Sequence, residues 1–229
     1  MTVSQDPRPL SRDGSVHVTD ERINTISHLV GACFAVLGAA LLIAQAGEQS
    51  DPWKLVGLSV YGLSLVTLFA ASSLHHGLDL SPRANEALRT LDYDSVFFLI
   101  AGSLTPIVLV LYRNLYGWTV LGAVWLIAAV GIVLRSVWRR TPKFVTNTLY
   151  IALGWMSVVL LGGGLSLPLG AMVLLGAGGV VYSLGFLVYV VERPNPMPGR
   201  FGFHEIWHLL VMAAALLHYL LIYRFVLPG

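Results

Sequence analysis

Charged residues are scarce in this sequence. They make up only 11% of its 229 residues, whereas hydrophobic residues make up 56%. A water-soluble domain of this size could not bury so much apolar surface, so lipid must be the solvent for most of the chain. The basic residues stand in the gaps between apolar runs and form no continuous patch, which argues against nucleic acid as a partner. The sequence therefore predicts an integral membrane protein.

Cysteine and lysine are almost missing. Cys33 is the only cysteine, so no disulfide can form within the chain. The two lysines, Lys54 and Lys143, lie outside the last apolar run, which excludes a retinal Schiff base there. The first twenty residues are polar and lack the apolar core of a secretory signal. We expect residues 1–22 to form a mobile cytoplasmic tail and residues 23–229 to form the membrane domain.

Long apolar runs recur along the rest of the chain. A run of about 20 residues is needed to cross roughly 30 Å of hydrocarbon. Seven such runs lie at approximately 25–46, 54–76, 91–112, 117–137, 144–163, 170–191 and 205–226. The break at residues 166–168 is the weakest because it carries no charge, so six spans with one bent element is the alternative. The sequence thus predicts an all-α protein, a bundle of seven transmembrane helices.

The distribution of lysine and arginine predicts the orientation of this bundle, because positive flanks stay on the cytoplasmic side. Eleven of these residues fall within residues 1–22 and in the second, fourth and sixth loops. Only three, Lys54, Arg113 and Arg224, fall on the other side. The N-terminus is therefore predicted to be cytoplasmic and the C-terminus to face away. This orientation is opposite to that of receptors coupled to G proteins.

Polar residues at membrane depth gather near the predicted cytoplasmic ends of three spans. An ionisable group there costs several kcal/mol unless it is paired or bound to a metal, so each is a candidate for function. His204 and His208 are four residues apart, which places both imidazoles on one helix face, roughly 6 Å apart, as two ligands of one ion require. Ser72 and His76 repeat that spacing on the second span.

These residues predict an open zinc site. An open zinc site typically has three imidazole ligands and one exchangeable water, which the metal acidifies. The three imidazoles here would come from His76, His204 and His208. Asp92, at the start of the third span, is the candidate to accept the proton of that water. Asp94 is two residues further on, about 200° around the helix, and cannot point in the same direction.

The remaining histidines are expected to play other parts. We expect His17, His28 and His75 to be structural or to support the ligands. His218 lies about 15 Å along the helix from His208, which is too far to share one ion.

Residues 204–208 also have the His-Glu-x-x-His pattern, in which two histidines bind zinc and the glutamate is a general base. An intramembrane zinc protease of this kind also needs an Asp-Gly pair inside a span, and here Asp13 and Gly14 lie in the N-terminal segment. The protease is therefore not favoured, and Glu205 stays an alternative to Asp92 as the base.

Four sequence blocks together match a known family, in the expected order: ERINTISHLVGA at 21–32, SSLHH at 72–76, LDYDSVFFLIAGSLTPI at 91–107 and FHEIWHLLVMAAALLHY at 203–219. As a set they resemble bacterial haemolysin III homologues of the progestin and adiponectin receptor (PAQR) superfamily. The resemblance implies seven helices in the inner (plasma) membrane, with the N-terminus in the cytoplasm. It also implies a zinc ion held by His76, His204 and His208, with Ser72 and Asp92 as its polar companions.

The resemblance further implies an activity. Receptor members of the superfamily are similar to lipid amide hydrolases, which points to a zinc-dependent hydrolase of a lipid amide or ester. A membrane lipid would then be the partner, and Asp92 and Ser72 the catalytic residues. Two other classes stay open: a receptor-like or regulatory protein whose zinc is structural, and a membrane-lytic or pore protein. The lack of a second buried charged pair along the helices disfavours the pore.

Overall fold

The computed structural model describes residues 11–138 and 141–229, and these residues are helical apart from short connections. Within them, seven segments are long and apolar enough to cross a membrane: Glu21–Glu48, Pro52–Gly77, Pro82–Leu111, Leu115–Val137, Lys143–Gly162, Leu169–Val191 and Phe203–Val226. The prediction of seven spans is therefore confirmed. The chain turns between Gly162 and Leu169, where Gly164 has a φ of +97°, so the six-span alternative is wrong.

The spans are built from helices α1 (Glu21–Glu48), α2 (Pro52–Gly77), α3 (Pro82–Pro106), α4 (Leu115–Val137), α5 (Lys143–Gly154), α6 (Met156–Gly162), α7 (Leu169–Val191) and α8 (Phe203–Leu221). The fifth span consists of α5 and α6, which are separated at Trp155. Helices α3 and α8 each continue into a π-helical turn, Ile107–Leu111 and Ile222–Val226 respectively.

Side chains that favour helix starts determine several of these boundaries. Asp20 accepts hydrogen bonds from two backbone N–H groups at the start of α1, and Asp51 does the same for α2. Ser81 caps α3, and Pro82 follows it at the first helical position. This cap starts α3 at Pro82, whereas the apolar run of the third span was predicted to start only at residue 91.

Helices α2 and α3 form the centre of the bundle. In their most apolar segments 56% and 61% of the residues are buried, against 17–33% in the other spans. Helix α1 packs closely on α2, and a Cβ atom added to Gly62 would lie only 2.6 Å from Cβ of Ala39. Helix α8 contacts α1 and α7. The starts of α1, α3 and α8 and the end of α2 therefore meet at one end of the bundle.

Part of the predicted mobile tail, residues 11–22, packs on the bundle or belongs to α1. Helix α1 already begins at Glu21, and Asp13, Ser15 and Thr19 are buried. Residues 11–20, which we call the N-terminal segment, lie across the end of the bundle where α2 ends and α8 begins. Residues 1–10 of the predicted tail lie outside the described residues, as do Arg139 and Arg140 of the basic fourth loop.

Candidate metal centre

Three histidines from two helices converge at this end of the bundle. His76 belongs to the last turn of α2, whereas His204 and His208 lie one turn apart at the start of α8. The Nε2 atom of His204 is 3.3 Å from Nε2 of His76 and 3.1 Å from Nε2 of His208. All three side chains are buried. We call these residues the histidine cluster.

The chemistry of the histidine cluster fits a metal ion. A neutral imidazole has one N–H donor and one acceptor nitrogen, so three ring nitrogens that face one another cannot all be satisfied by hydrogen bonds among themselves. Four tetrahedral ligands of zinc, each 2.0–2.1 Å from the ion, lie about 3.3 Å from one another. The observed separations of 3.1 and 3.3 Å match that value. The histidine cluster could therefore hold a metal ion.

Neighbouring side chains orient two of the rings. Nδ1 of His76 lies 2.6 Å from Oε2 of Glu21, so Nδ1–H donates to this carboxylate and the Nε2 lone pair faces the other histidines. Nδ1 of His208 lies 3.4 Å from Oγ of Ser27. His28 stacks on His208 with ring centroids 3.7 Å apart. His28 therefore packs against a member of the cluster and does not join it.

The two carboxylates near the middle of α3, Asp92 and Asp94, point in different directions, as the helical spacing predicts. A carboxylate oxygen of Asp92 lies within 4.8 Å of a ring nitrogen of His76. Asp92 and Ser72 also line the same cavity as His204 and His208. Oδ2 of Asp94, by contrast, accepts a hydrogen bond from Ser136 of α4 at 3.1 Å. The fold thus brings Asp92 and Ser72 to the histidine cluster and directs Asp94 elsewhere.

Glu205 holds the start of α8. Its Oε1 accepts hydrogen bonds from the backbone N–H of Asp20 at 2.7 Å and from Nδ2 of Asn24 at 3.2 Å. Its Oε2 accepts from the backbone N–H of Gly202 at 2.7 Å. The glutamate of the His-Glu-x-x-His pattern is therefore buried and engaged by three donors. This arrangement supports a role in capping α8 and tying it to α1.

The sequence does not predict Asp13 at this centre, nor does it predict Glu21. Oδ1 of Asp13 lies 3.3 Å from Nε2 of His75 and 3.2 Å from the hydroxyl of Tyr93. Its Oδ2 lies 3.0 Å from Nε2 of His204 and 4.0 Å from Nε2 of His76. Burial by itself raises the pKa of Asp13, but the three neighbouring histidines outweigh it and hold the pKa well below its usual range. The carboxylate therefore stays ionised, and no motif around residue 13 signals this contact.

A cavity of about 580 Å³ extends from the histidine cluster along the bundle. Its wall is mostly apolar and comes from α3, the fifth span, α7 and α8. His208 and His218 both line it, and ten residues of helix span about 15 Å. The fifth span packs on α3 and α4, whereas α7 packs mainly on α8. The cavity is open between these two groups, where the following lining residues are 39–50% exposed: Ile151, Trp155, Val158, Met172 and Val180.

Comparisons with known proteins agree with this architecture. A family model described as "Haemolysin-III related" matches residues 16–219. Hemolysin-3 of Bacillus cereus is 31% identical over 219 residues, which cover 92% of this chain and 94% of that protein. Monocyte to macrophage differentiation factor of Homo sapiens is 26% identical over 214 residues, which cover 88% of this chain and 82% of that protein. The adiponectin receptor protein of Drosophila melanogaster is 27% identical over 227 residues, which cover 88% of this chain and 50% of the receptor.

The family match therefore covers most of the chain, from the N-terminal segment to the last turns of α8. The described residues supply the seven helices of a multi-pass membrane protein. They also supply a buried group of histidine and aspartate side chains that could hold a metal. This chain belongs to the haemolysin III-related family of the PAQR superfamily.

Proposed function

We propose that this protein is a zinc-dependent hydrolase of the bacterial inner (plasma) membrane, which cleaves an amide or ester bond of a membrane lipid. The observation that carries the proposal is the position of the histidine cluster and Asp92 at one end of a long apolar cavity. Metal ligands with a carboxylate beside them suit hydrolysis, and the apolar wall suits an acyl chain.

The cavity determines how the lipid is bound. Its apolar wall holds the acyl chain and excludes water from it, so that the scissile carbonyl lies at the end formed by the histidine cluster. The opening between the fifth span and α7 lies at membrane depth. A lipid therefore enters from the bilayer and does not have to cross water first.

The side chains at the histidine end carry out the reaction. His76, His204 and His208 would hold the zinc ion, which would supply Lewis acidity for the water and the carbonyl group. Asp92 accepts a proton from the water as its oxygen forms a bond to the carbonyl carbon. Asp92 then returns the proton to the leaving nitrogen or oxygen as the bond from the carbonyl carbon to that atom breaks. The hydroxyl of Ser72, one turn before His76, supplies a hydrogen-bond donor to the same space.

The test is a comparison of zinc content and lipid hydrolysis in purified variants. Asp92→Asn should keep bound zinc and lose turnover by about two to four orders of magnitude, the usual scale for a lost acid or base. Asp94→Asn is the matched control, because Asp94 bonds to Ser136 and should retain both properties. The substrates are a panel of ceramide-like amides and the corresponding esters.

Two outcomes would contradict the proposal. Turnover that survives Asp92→Asn but is lost in Glu205→Gln would transfer the role of base to Glu205. A wild-type protein that binds zinc and hydrolyses no member of the panel would contradict the hydrolase. That result would favour a receptor-like or regulatory protein in which the metal ties α2 to α8.

A further inference from the structure

The N-terminal segment places one carboxylate oxygen against the histidine cluster without a hydrogen bond. Oδ2 of Asp13 is buried, and no donor among the described residues reaches it in hydrogen-bonding geometry. Yet Nε2 of His204 is only 3.0 Å away. Buried carboxylate oxygens nearly always have a partner, so this one requires an explanation. A shared cation explains this short contact, because a lone pair of Oδ2 of Asp13 and a lone pair of Nε2 of His204 can both point at one ion.

The rest of Asp13 is held in place by the protein. Its Oδ1 accepts a hydrogen bond from Tyr93, and its backbone carbonyl accepts one from Nη2 of Arg89 at 2.7 Å. On one side of it, Arg12 donates to the backbone carbonyl of His75 at 2.8 Å. On the other side, Gly14 turns the chain with a φ of +78°, a conformation that favours glycine. These contacts leave Oδ2 as the atom that faces His204 and His76.

From this arrangement we propose that Asp13 is a fourth protein ligand of the metal held by His76, His204 and His208. The inference rests on the proposed metal site and extends it to the N-terminal segment. Three imidazoles and one carboxylate complete the four ligands of a closed zinc site. While the segment is docked, Asp13 therefore takes the position that a water or a lipid carbonyl needs. Withdrawal of the segment opens that position, so the segment controls access to the metal.

The contacts of the N-terminal segment allow it to detach from the end of the bundle. They are mainly hydrogen bonds, such as the one from Oγ of Ser15 to Oε2 of Glu192 at 2.7 Å. Its larger apolar side chains, Val16 and Val18, are 50% and 53% exposed. A segment that buries little apolar surface opens at a lower free energy than the helices it covers.

The experiment uses the purified full-length chain loaded with zinc or with Co²⁺, whose visible absorption reports the ligands. Asp13→Asn and Asp13→Ala should each weaken zinc affinity at least about tenfold, measured by competition with a chromophoric chelator. The cobalt spectrum should change in both variants. Added azide should alter the spectrum of Asp13→Ala but not that of the wild type, because only the variant has an open position.

The matched control is Asp20→Asn, which removes a carboxylate from the same segment. Asp20 caps α1, and asparagine caps helices equally well, so this variant should behave as the wild type does. If Asp13→Ala does not fold, Asp13→Asn decides the question, because it keeps the shape of the side chain. Unchanged affinity, spectrum and azide response in the Asp13 variants would overturn this inference alone. A wild-type chain that binds neither metal would overturn the proposed metal site as well.

Discussion

The acidic residues near the histidine cluster each have different partners, and these partners separate their roles. Glu21 accepts a hydrogen bond from Nδ1–H of His76, whereas Glu205 accepts hydrogen bonds from three N–H groups. Asp92 lines the cavity near His76, which is the position that its proposed role as the base requires. Asp13 is the carboxylate with an unpartnered oxygen among the described residues of this centre. Residue type alone would not distinguish these roles.

The contact between Glu21 and His76 yields a prediction for metal affinity. A carboxylate that accepts from Nδ1 fixes the ring orientation and makes Nε2 a stronger ligand, so Glu21→Gln should weaken zinc binding about 10–100-fold. Glu48→Gln removes the acidic residue at the opposite end of α1 and should leave the affinity unchanged. Chelator competition on both variants measures the difference. Equal affinities would show that Glu21 does not support the ligand.

At the scale of the helices, the sequence predicted those features that depend on local composition. The seven spans followed from the lengths of the apolar runs, and the structure confirms them. The early start of α3 was missed because its first turns are polar and depend on the cap formed by Ser81 and Pro82. The separation of α5 from α6 at Trp155 was missed because no proline or charge marks it.

The candidate site was only partly predictable for a related reason. The spacing of His204 and His208 on one helix face is a local property, and so is the divergence of Asp92 from Asp94. The docking of Asp13 depends on contacts with residues more than sixty positions away, such as His75. A polar segment before the first helix carries no pattern that reveals such contacts, so the sequence predicts only a mobile tail there.

Close packing of α2 against the end of α3 provides a test of the fold. A Cβ atom at Gly57 would lie 2.9 Å from Cα of Pro106, and backbone cannot move aside as a side chain can. Gly57→Ala should therefore lower the free energy of unfolding by about 1–3 kcal/mol. Gly122→Ala on α4 is the control, because the added Cβ would have no neighbouring atom within 4 Å. The stability of this variant should not fall. Denaturant unfolding in detergent micelles measures the stability of both variants, and equal losses of stability would contradict this packing.

At the scale of the whole molecule, the histidine cluster and the N-terminal segment share one end of the bundle, and the cavity begins there. Arg89, Arg135 and Lys143 line the cavity near this end and belong to the positive flanks that predict a cytoplasmic location. The metal centre is therefore predicted to lie near the cytoplasmic face, with the cavity extending toward the opposite leaflet.

This orientation is testable with reporter fusions. The asymmetry of lysine and arginine predicts that a reporter at residue 1 or in the loop around residues 139–140 gives a cytoplasmic signal. A reporter after Gly229 should give a signal from the opposite side, because seven spans separate the two ends. A cytoplasmic signal from the C-terminal fusion would contradict the topology.

Elemental analysis of the purified protein tests most directly whether His76, His204 and His208 hold one zinc ion. The wild type should contain about one zinc per chain. His76→Ala and His204→Ala should each contain far less, because loss of one of three buried imidazole ligands sharply weakens binding. His17→Ala, which changes a partly exposed histidine outside the cluster, should retain the metal. Full retention of zinc in both cluster variants would contradict the site described here.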